Sequence, residues 1–261
     1  KSIFWSALLC LASATAPAQN DGPTNAAAQK TVHVVRTATP PVIDGDISDA
    51  VWSTAARIDD LHQVSPVEYA APNERTEIYI LYDDDAVYFA FRLWDNDPSR
   101  ITAKNMRQND AIGQDDRIYV TIDPFNNRRS GYYFGVNPNG VRSDGLYRNV
   151  SEFYGDWDTI FDAAAGRFEG GWTVEIAIPF KSLRYRPGRE QTWGIQLRRN
   201  IRSKNEMAYI TKVNPAWLQR ALHHYAEAAT LVGLEAPPAA NNLEVKPYAM
   251  SRVTTDRLSR P

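Results

Sequence analysis

Apolar and polar residues alternate along this chain in many short runs that turn-forming residues separate. Two of these runs, Glu77–Tyr82 and Val87–Trp94, flank Asp83-Asp84-Asp85, which is typical of a β-hairpin. Further strands are predicted at Thr31–Arg36, Arg117–Asp123, Tyr132–Asn137, Gly140–Leu146, Thr159–Ala164, Trp172–Ile178 and Trp193–Ile201. No long segment has the 3.6-residue period of an amphipathic helix. The pattern therefore predicts an all-β fold, a two-sheet antiparallel β-sandwich of roughly ten strands (jelly-roll or immunoglobulin-like) with short helical turns.

Each predicted strand has an apolar face and a polar face, because successive side chains of a strand point in opposite directions. We expect the apolar faces to form the core and the polar faces to meet solvent. Three polar faces carry an arginine that can donate hydrogen bonds to a ligand: Arg92, Arg117 and Arg198.

The tryptophans divide in the same way. Trp52, Trp172 and Trp193 are predicted core residues, because aliphatic residues share their faces. Trp94 falls on a polar face, and Trp157 lies among carboxylates in a loop. An exposed ring beside acids and amides can stack on a sugar, although either ring can also lie under a long loop.

The segment Pro40–Trp52 predicts an extended entry, a tight Asp-Gly turn and one helical turn that carries Trp52 inward. Its aspartates, Asp44, Asp46 and Asp49, supply the oxygen ligands that calcium prefers. Turn-forming or capping roles explain the same three residues and are favoured.

The charges are balanced, with 29 basic and 31 acidic residues, so nothing indicates binding to nucleic acid or an anionic membrane. Glycoside hydrolysis needs two carboxylates that face each other. Glu175 is the best single candidate, but no second acid can be paired with it, and a salt bridge to Arg117 or Arg198 is expected instead. With neither a nucleophile arrangement nor a phosphate-binding loop in the sequence, a non-catalytic module is favoured over a cofactor enzyme.

The ends of the chain predict export. Residues 1–18 combine a basic start, a short apolar run and small residues, which is typical of a secretory signal cleaved after Ala18. Residues 19–39 are predicted to form a linker and a lead-in strand. Residues 236–261 are predicted to form a second linker and the start of a further β-rich region, which this chain truncates.

Three motifs carry a family resemblance: Ile43–Trp52, Asp115–Asp123 and Gly171–Phe180. Their sequence, order and spacing resemble the family 9 carbohydrate-binding module, a β-sandwich grouped with DOMON-like domains, over residues 40–235. The resemblance implies carbohydrate binding, sugar held between aromatic rings, and often structural calcium. Only Trp94 and Trp157 are plausible counterparts of those rings. The predicted ligand site is therefore Trp94 and Trp157 as stacking rings with Arg92, Arg117, Asn137 and Arg198 as donors.

A narrower resemblance adds a context. Phe134–Val141, Ile178–Tyr185 and Leu197–Ile201 are similar to bacterial exported proteins in which this module precedes an outer-membrane barrel region. This implies a polysaccharide or oligosaccharide partner, a C-terminal barrel in the full-length chain, and a location in the periplasm, outer membrane or cell surface of a Gram-negative-type bacterium. The role is then accessory to polysaccharide breakdown or uptake.

Two alternatives remain open at this point. The sandwich can be a structural plug that binds no sugar, in which case its arginines meet an acidic barrel surface: Arg117, Arg198, Arg199 and Arg202. It can also be part of a glycoside hydrolase acting on O-glycosyl bonds.

Overall fold

Fifteen strands form two sheets in the part of the chain that the computed structural model describes, residues 29–107, 112–150 and 152–238. In chain order the strands are β1 (Thr31–His33), β2 (Val35–Arg36), β3 (Ala56–Ile58), β4 (His62–Ser65), β5 (Thr76–Tyr82), β6 (Ala86–Trp94), β7 (Arg117–Asp123), β8 (Gly131–Val136), β9 (Arg142–Arg148), β10 (Glu152–Tyr154), β11 (Asp162–Phe168), β12 (Gly171–Pro179), β13 (Glu190–Ile201), β14 (Glu206–Tyr209) and β15 (Ala229–Glu235). The connections include short 3-10 turns, and no helix in the described ranges has the length and apolarity needed to cross a membrane.

The larger sheet has the strand order β1-β15-β13-β7-β8-β9-β10, with β14 beside β13 and β4 beside β14. The smaller sheet has the order β11-β12-β6-β5-β2, with β3 also paired to β5. Most neighbours are antiparallel, which confirms the predicted β-sandwich. The expectation of purely antiparallel pairing is wrong at two edges, because β1 pairs in parallel with β15 and β2 in parallel with β5. β1 and β2 follow each other in the chain but belong to different sheets. Each is an edge strand of its sheet and runs parallel to its neighbour.

The main core lies between the sheets and contains two of the three tryptophans that were predicted to be buried. Trp172 and Trp193 are 1% and 0% exposed within the main apolar cluster. Trp52 is also buried, at 3%, but in a second cluster on the outer face of the smaller sheet. The prediction that all three are core residues is confirmed.

The outer faces of both sheets are covered, which the sequence pattern did not predict. Every residue of β7 is buried, including those on its polar face. The 3-10 segment Pro215–His223 packs on this side of the larger sheet, and Ala50–Thr54 packs on the smaller sheet. Alternation separates two faces, but it does not reveal whether another part of the chain covers the polar one.

One predicted strand is displaced, and five strands were missed, four of them short. The strand predicted at Thr159–Ala164 is Asp162–Phe168, because the amide of Thr159 instead donates to Asp144 Oδ2 and Phe161 turns into the core. Regular pairing starts only at Asp162, opposite Ala177 of β12. The missed strands are β3, β4, β10, β14 and β15.

Candidate functional site

Two of the six residues predicted to bind ligand have roles inside the fold. Asn137 is fully buried: its Nδ2 donates to Asp115 Oδ2 at 2.8 Å, and its Oδ1 accepts from the amide of Val141 at 2.9 Å. The half-buried ring of Trp157 packs on Tyr132, with 5.0 Å between ring centroids, at the margin of the core. The alternation predicted that Asn137 lies on an exposed polar face, and that prediction is wrong.

Trp94 and Trp157 lie near opposite ends of β11. Trp157 precedes Phe161, which adjoins the first residue of β11, whereas Phe168 at its last residue contacts Trp94 at 6.0 Å. A strand of this length spans ~20 Å at about 3.3 Å per residue. The two rings therefore cannot hold one sugar unit between them.

Arg117 and Arg198 lie on the outer face of the larger sheet but are only 4% exposed. The guanidinium of Arg198 is 4.3 Å from the ring centroid of Tyr119, and its Nη1 donates to Tyr209 Oη and to the carbonyl of Gln219. Arg117 donates to the backbone carbonyl of Asp115, which precedes β7. The expectation that both are surface donors is wrong, because both are buried and the carbonyl of Gln219 contacts Arg198 from the covering segment. Neither Arg117 nor Arg198 forms an ion pair with another described residue. A cation–π contact stabilises a buried guanidinium charge that has no ion pair.

Arg199, one of the four arginines that the plug alternative paired with an acidic barrel surface, is also buried. Arg199 is 3% exposed, and its guanidinium bridges the sheets by donating to the carbonyls of Arg75 and Trp94 and to Thr76 Oγ1. Burial lowers the pKa of Arg199 to about 10, so it stays charged at neutral pH.

A continuous series of rings lies above Arg198 on the outer face of the larger sheet, and we call it the aromatic row. In order of contact its members are Tyr119, Tyr133, Tyr147, His223, His224 and Trp217, and Phe153 branches off by contacting both Tyr133 and Tyr147. Contacting centroids are 3.8 to 6.0 Å apart. Tyr119 at one end of the row is buried, whereas Trp217 at the other end is 36% exposed and Phe153 on the branch is 50% exposed.

Strand register builds one half of the row. Tyr133, Tyr147 and Phe153 lie on the outer faces of the adjacent strands β8, β9 and β10, with Phe153 directly opposite Tyr147. Gly145 provides space, since a Cβ atom there would lie 2.4 Å from Cε2 of Phe153. The ring of Phe153 therefore lies across Gly145 and presents its other face to solvent.

The other half of the row depends on a neutral histidine. Burial, together with the nearby charges of His224 and two arginines, lowers the pKa of His223 to about 4. At neutral pH the uncharged imidazole of His223 stacks on Tyr147 at 4.2 Å. His224 in turn stacks on the exposed Trp217 at 3.8 Å.

Arg92 and Trp94 border a separate cavity of about 590 Å³ on the outer face of the smaller sheet, which we call the Trp94 cleft. It is lined by Asp44, Gly45, Asp46, Ile47, Arg92, Trp94, Gly166, Arg167, Phe168 and Thr173. The guanidinium of Arg75 lies 4.2 Å from the ring centroid of Trp94, and that of Arg92 lies 5.9 Å away. Arg92 forms no ion pair or hydrogen bond with another described residue. This pair is the only part of the predicted site that the fold brings together at an open surface of the described chain.

Glu175 anchors the turn that forms one wall of the cleft. Its Oε2 accepts from the amides of Gly45 and Asp44 at 2.9 and 3.1 Å, and its Oε1 accepts from Trp52 Nε1 at 2.9 Å. Gly45 has φ +92°, a left-handed conformation that favours glycine. Burial raises the pKa of Glu175 despite these donors. The expected salt bridge to Arg117 or Arg198 is wrong, because those arginines lie on the other sheet.

The three calcium candidates are used within the turn. Asp44 Oδ1 accepts from the amide of Asp46 at 2.8 Å, and Asp49 Oδ2 accepts from the amide of Val42 at 2.9 Å. Asp46 Oδ1 likewise accepts from the amide of Ser48. The favoured turn-forming role is thereby confirmed. In the described ranges no group of three or more His, Cys, Asp or Glu side chains is arranged to hold a metal ion.

A family model described as carbohydrate family 9 binding domain-like matches residues 43–219, more than half of the chain. The chain belongs to this family. The matched range includes every residue that lines the Trp94 cleft and all of the aromatic row except His223 and His224.

Among curated proteins, this family 9 chain is similar to endo-1,4-beta-xylanase A of Thermotoga neapolitana, with 26% identity over 163 residues, and to that of Thermotoga maritima, with 27% over 164 residues. Each match covers 60% of the chain but 14% of the xylanase, so the chain spans about a seventh of those proteins.

Solved structures share the fold of the family 9 chain. A family 9 module of Caldicellulosiruptor kristjanssonii in complex with cellotriose has a TM-score of 0.54 and 18% identity, covering 84% of this chain and 100% of that one. The same kind of module in complex with glucose has a TM-score of 0.55, also at 18% identity, with 83% and 100% covered. A protein of Bacteroides uniformis has a TM-score of 0.61 and 10% identity, with 78% and 99% covered.

Little in the sequence pattern indicates the aromatic row. Phe153 lies in β10, a strand that was not predicted, and Tyr147 follows the last residue of the strand predicted at Gly140–Leu146. Trp217 lies in a segment without strand alternation. The available signal was the high number of aromatic residues, 13 Tyr and 7 Trp. Only the sheet register brings these rings together.

Proposed function

We propose that the protein binds carbohydrate through the exposed rings of the aromatic row. Membership of family 9 supports the ligand class, and so do the structural neighbours that were solved with cellotriose and with glucose. The observation that carries the location is the exposure of Phe153 and Trp217, which belong to one connected set of rings. Flat aromatic faces of this kind stack on the C–H faces of pyranose rings.

The proposed role is binding without hydrolysis. Glu175, the best single candidate for an acid catalyst, is fully buried with both carboxylate oxygens occupied by donors. Because the chain spans so small a part of the xylanases, we assign it an accessory role in polysaccharide breakdown or uptake.

Isothermal titration calorimetry with glucose, cellotriose and xylotriose tests the proposal, together with gel retardation by β-glucan and xylan. Trp217→Ala and Phe153→Ala are expected to weaken binding about tenfold, which corresponds to ~1.4 kcal/mol. Phe125→Ala is the matched control, because Phe125 is 38% exposed but lies outside the row. Binding by no glycan would overturn the function. Equal affinity in the row variants and the control would overturn the location.

We also propose that the protein is exported by a Sec-type signal to the periplasm, outer membrane or cell surface, where a C-terminal barrel region of the full-length chain is its partner. The support is the signal-like residues 1–18 and the β-like sequence that begins at Leu243, both outside the described residues. Fractionation of cells that express the full-length gene tests this. A mature protein that begins at Gln19 in the envelope fraction is expected, and an uncleaved cytoplasmic protein would contradict it.

A further inference from the structure

We infer that the Trp94 cleft is a second glycan-binding site, so that one module binds two polysaccharide chains and bridges them. The inference rests on the proposed function for its ligand class. It differs in its residues, its sheet and its consequence, so it can fail while the proposed function stands.

The two sites lie on opposite sides of the molecule. Trp94 shares the outer face of β6 with Tyr88 and Ala90, which belong to the apolar cluster outside the smaller sheet. The aromatic row lies outside the larger sheet, and the main core separates the two. Packed sheets are ~10 Å apart, and both carry a further covering layer here. A monosaccharide or a short oligosaccharide therefore cannot occupy both sites at once.

The cleft offers the mixture of groups that a sugar unit requires. The half-exposed ring of Trp94 provides an apolar face. Arg92 has donors that no described residue occupies, and the carboxylates of Asp44 and Asp46 retain free lone pairs beyond their turn hydrogen bonds. Sugar hydroxyls both donate and accept, so they match acids and a guanidinium placed around a ring. The cavity of about 590 Å³ lies within the usual range of small-molecule sites, ~300 to 1,000 Å³.

The ring side of the cleft is held rigidly before any ligand arrives. The amide of Trp94 donates to the carbonyl of Arg75, and its own carbonyl accepts from the buried Arg199 at 2.6 Å. Arg75 is in turn paired with the buried Glu77. Phe168 supports the ring of Trp94 edge-on. Fixed side chains reduce the ordering cost of binding.

The opposite wall is equally fixed. Glu175 binds the amides of Asp44 and Gly45, and the hydroxyl of Thr173 donates to the carbonyl of Gly45 at 2.6 Å. The Asp44–Asp46 turn therefore stays on β12 while its carboxylates border the cavity.

The placement of the two sites on opposite faces of the module determines how it binds polysaccharide chains. Two sites on the same face of a module increase its affinity for one polymer chain, because the second contact is intramolecular. Sites on opposite outer faces cannot easily follow one extended chain. They connect separate chains instead, so the module is expected to cross-link soluble polysaccharide.

The test compares the Trp94→Ala, Trp217→Ala and double variants with the wild-type protein, using Phe125→Ala as the control. Titration uses cellotriose or xylotriose, whichever binds the wild-type protein. Two sites per wild-type molecule are expected, with one of them weakened about tenfold in each single variant and both weakened in the double variant. Light scattering and viscosity of a β-glucan or xylan solution are expected to rise with the wild-type protein and to lose that rise in either single variant. Circular dichroism confirms that each variant is folded.

The outcomes separate the two proposals. One site in the wild-type protein, weakened by Trp217→Ala and unaffected by Trp94→Ala, overturns the second site and leaves the proposed function intact. One site weakened by Trp94→Ala alone overturns the bridging and relocates the proposed function to the cleft. Binding of neither trisaccharide nor polymer overturns both. Arg92→Ala provides a second check, since it is expected to weaken the cleft site about tenfold and to leave the aromatic row unaffected.

Discussion

The indole Nε1 of Trp52 donates to Oε1 of Glu175 at 2.9 Å, across 123 residues of sequence. This hydrogen bond holds the segment Pro40–Trp52 against β12, and the same carboxylate accepts hydrogen bonds from the amides of Asp44 and Gly45. One buried acid therefore holds both the helical turn that carries Trp52 and the turn that borders the Trp94 cleft.

Glu175→Gln is expected to destabilise the fold by ~1 to 3 kcal/mol, because an amide offers one acceptor oxygen where three buried donors now share two. Urea denaturation measures this as a lower midpoint with an unchanged slope. The matched control is Glu190→Gln, since Glu190 is exposed at the start of β13. Equal midpoints for the two variants would contradict the anchoring role.

Stability is expected to fall with acidification through His223. The pKa of His223 is lowered to about 4 in the folded protein, against an ordinary value of 6.5. Between pH 6.5 and pH 4 the unfolded chain binds a proton at His223 that the folded chain does not. The contribution of His223 to the free energy of unfolding is therefore fully present above pH 6.5. It is lost as the pH falls to 4, and the loss is about 3 kcal/mol.

Denaturation of the wild-type protein and His223→Gln at pH 7, 5.5 and 4.5 tests this contribution. Other buried groups titrate in the same range, so the relevant quantity is the difference between the two proteins. That difference is expected to shrink or reverse as the pH falls. A constant difference would show that His223 does not carry the effect.

Gly145→Ala is expected to weaken glycan binding at the aromatic row without removing a ring. The new methyl group would lie 2.4 Å from Cε2 of Phe153, so the ring must tilt away from the sheet. Titration calorimetry should show a loss of affinity of the order of that in Phe153→Ala. Gly113→Ala is the control, because nothing lies within 4 Å of a Cβ atom there. Unchanged affinity in Gly145→Ala would show that the orientation of Phe153 is irrelevant to binding.

Arg198→Lys keeps the charge but is expected to cost ~1 to 3 kcal/mol of stability. Nη1 of Arg198 donates to both Tyr209 Oη and the carbonyl of Gln219, and the guanidinium lies 4.3 Å from the ring centroid of Tyr119. Hydrogen exchange should increase at the amides of residues 216–223, which this arginine fixes. The exposed Arg129 provides the control as Arg129→Lys. If the two lysine variants are equally stable, the covering segment is held by other contacts.

The sequence predicted most of the long strands correctly, because β5, β6, β7, β12 and β13 have strict alternation and clear turns. It failed for short strands such as β3 and β10, whose three residues carry too little pattern. It also assumed that Arg117 and Arg198 point to solvent. Alternation cannot show that Pro215–His223 folds back over Arg198 from later in the chain.

The sequence by itself determined the β-sandwich, the burial of Trp52, Trp172 and Trp193, and the family resemblance, because local periodicity and ordered motifs carry that information. Only the tertiary structure decided which polar residues gather into sites. It buried Asn137, drew Trp94 and Arg92 into one cleft, and aligned rings from β7, β8, β9, β10 and the 217–224 segment. Contacts between residues distant in sequence depend on strand register and on covering loops, and neither leaves a local pattern.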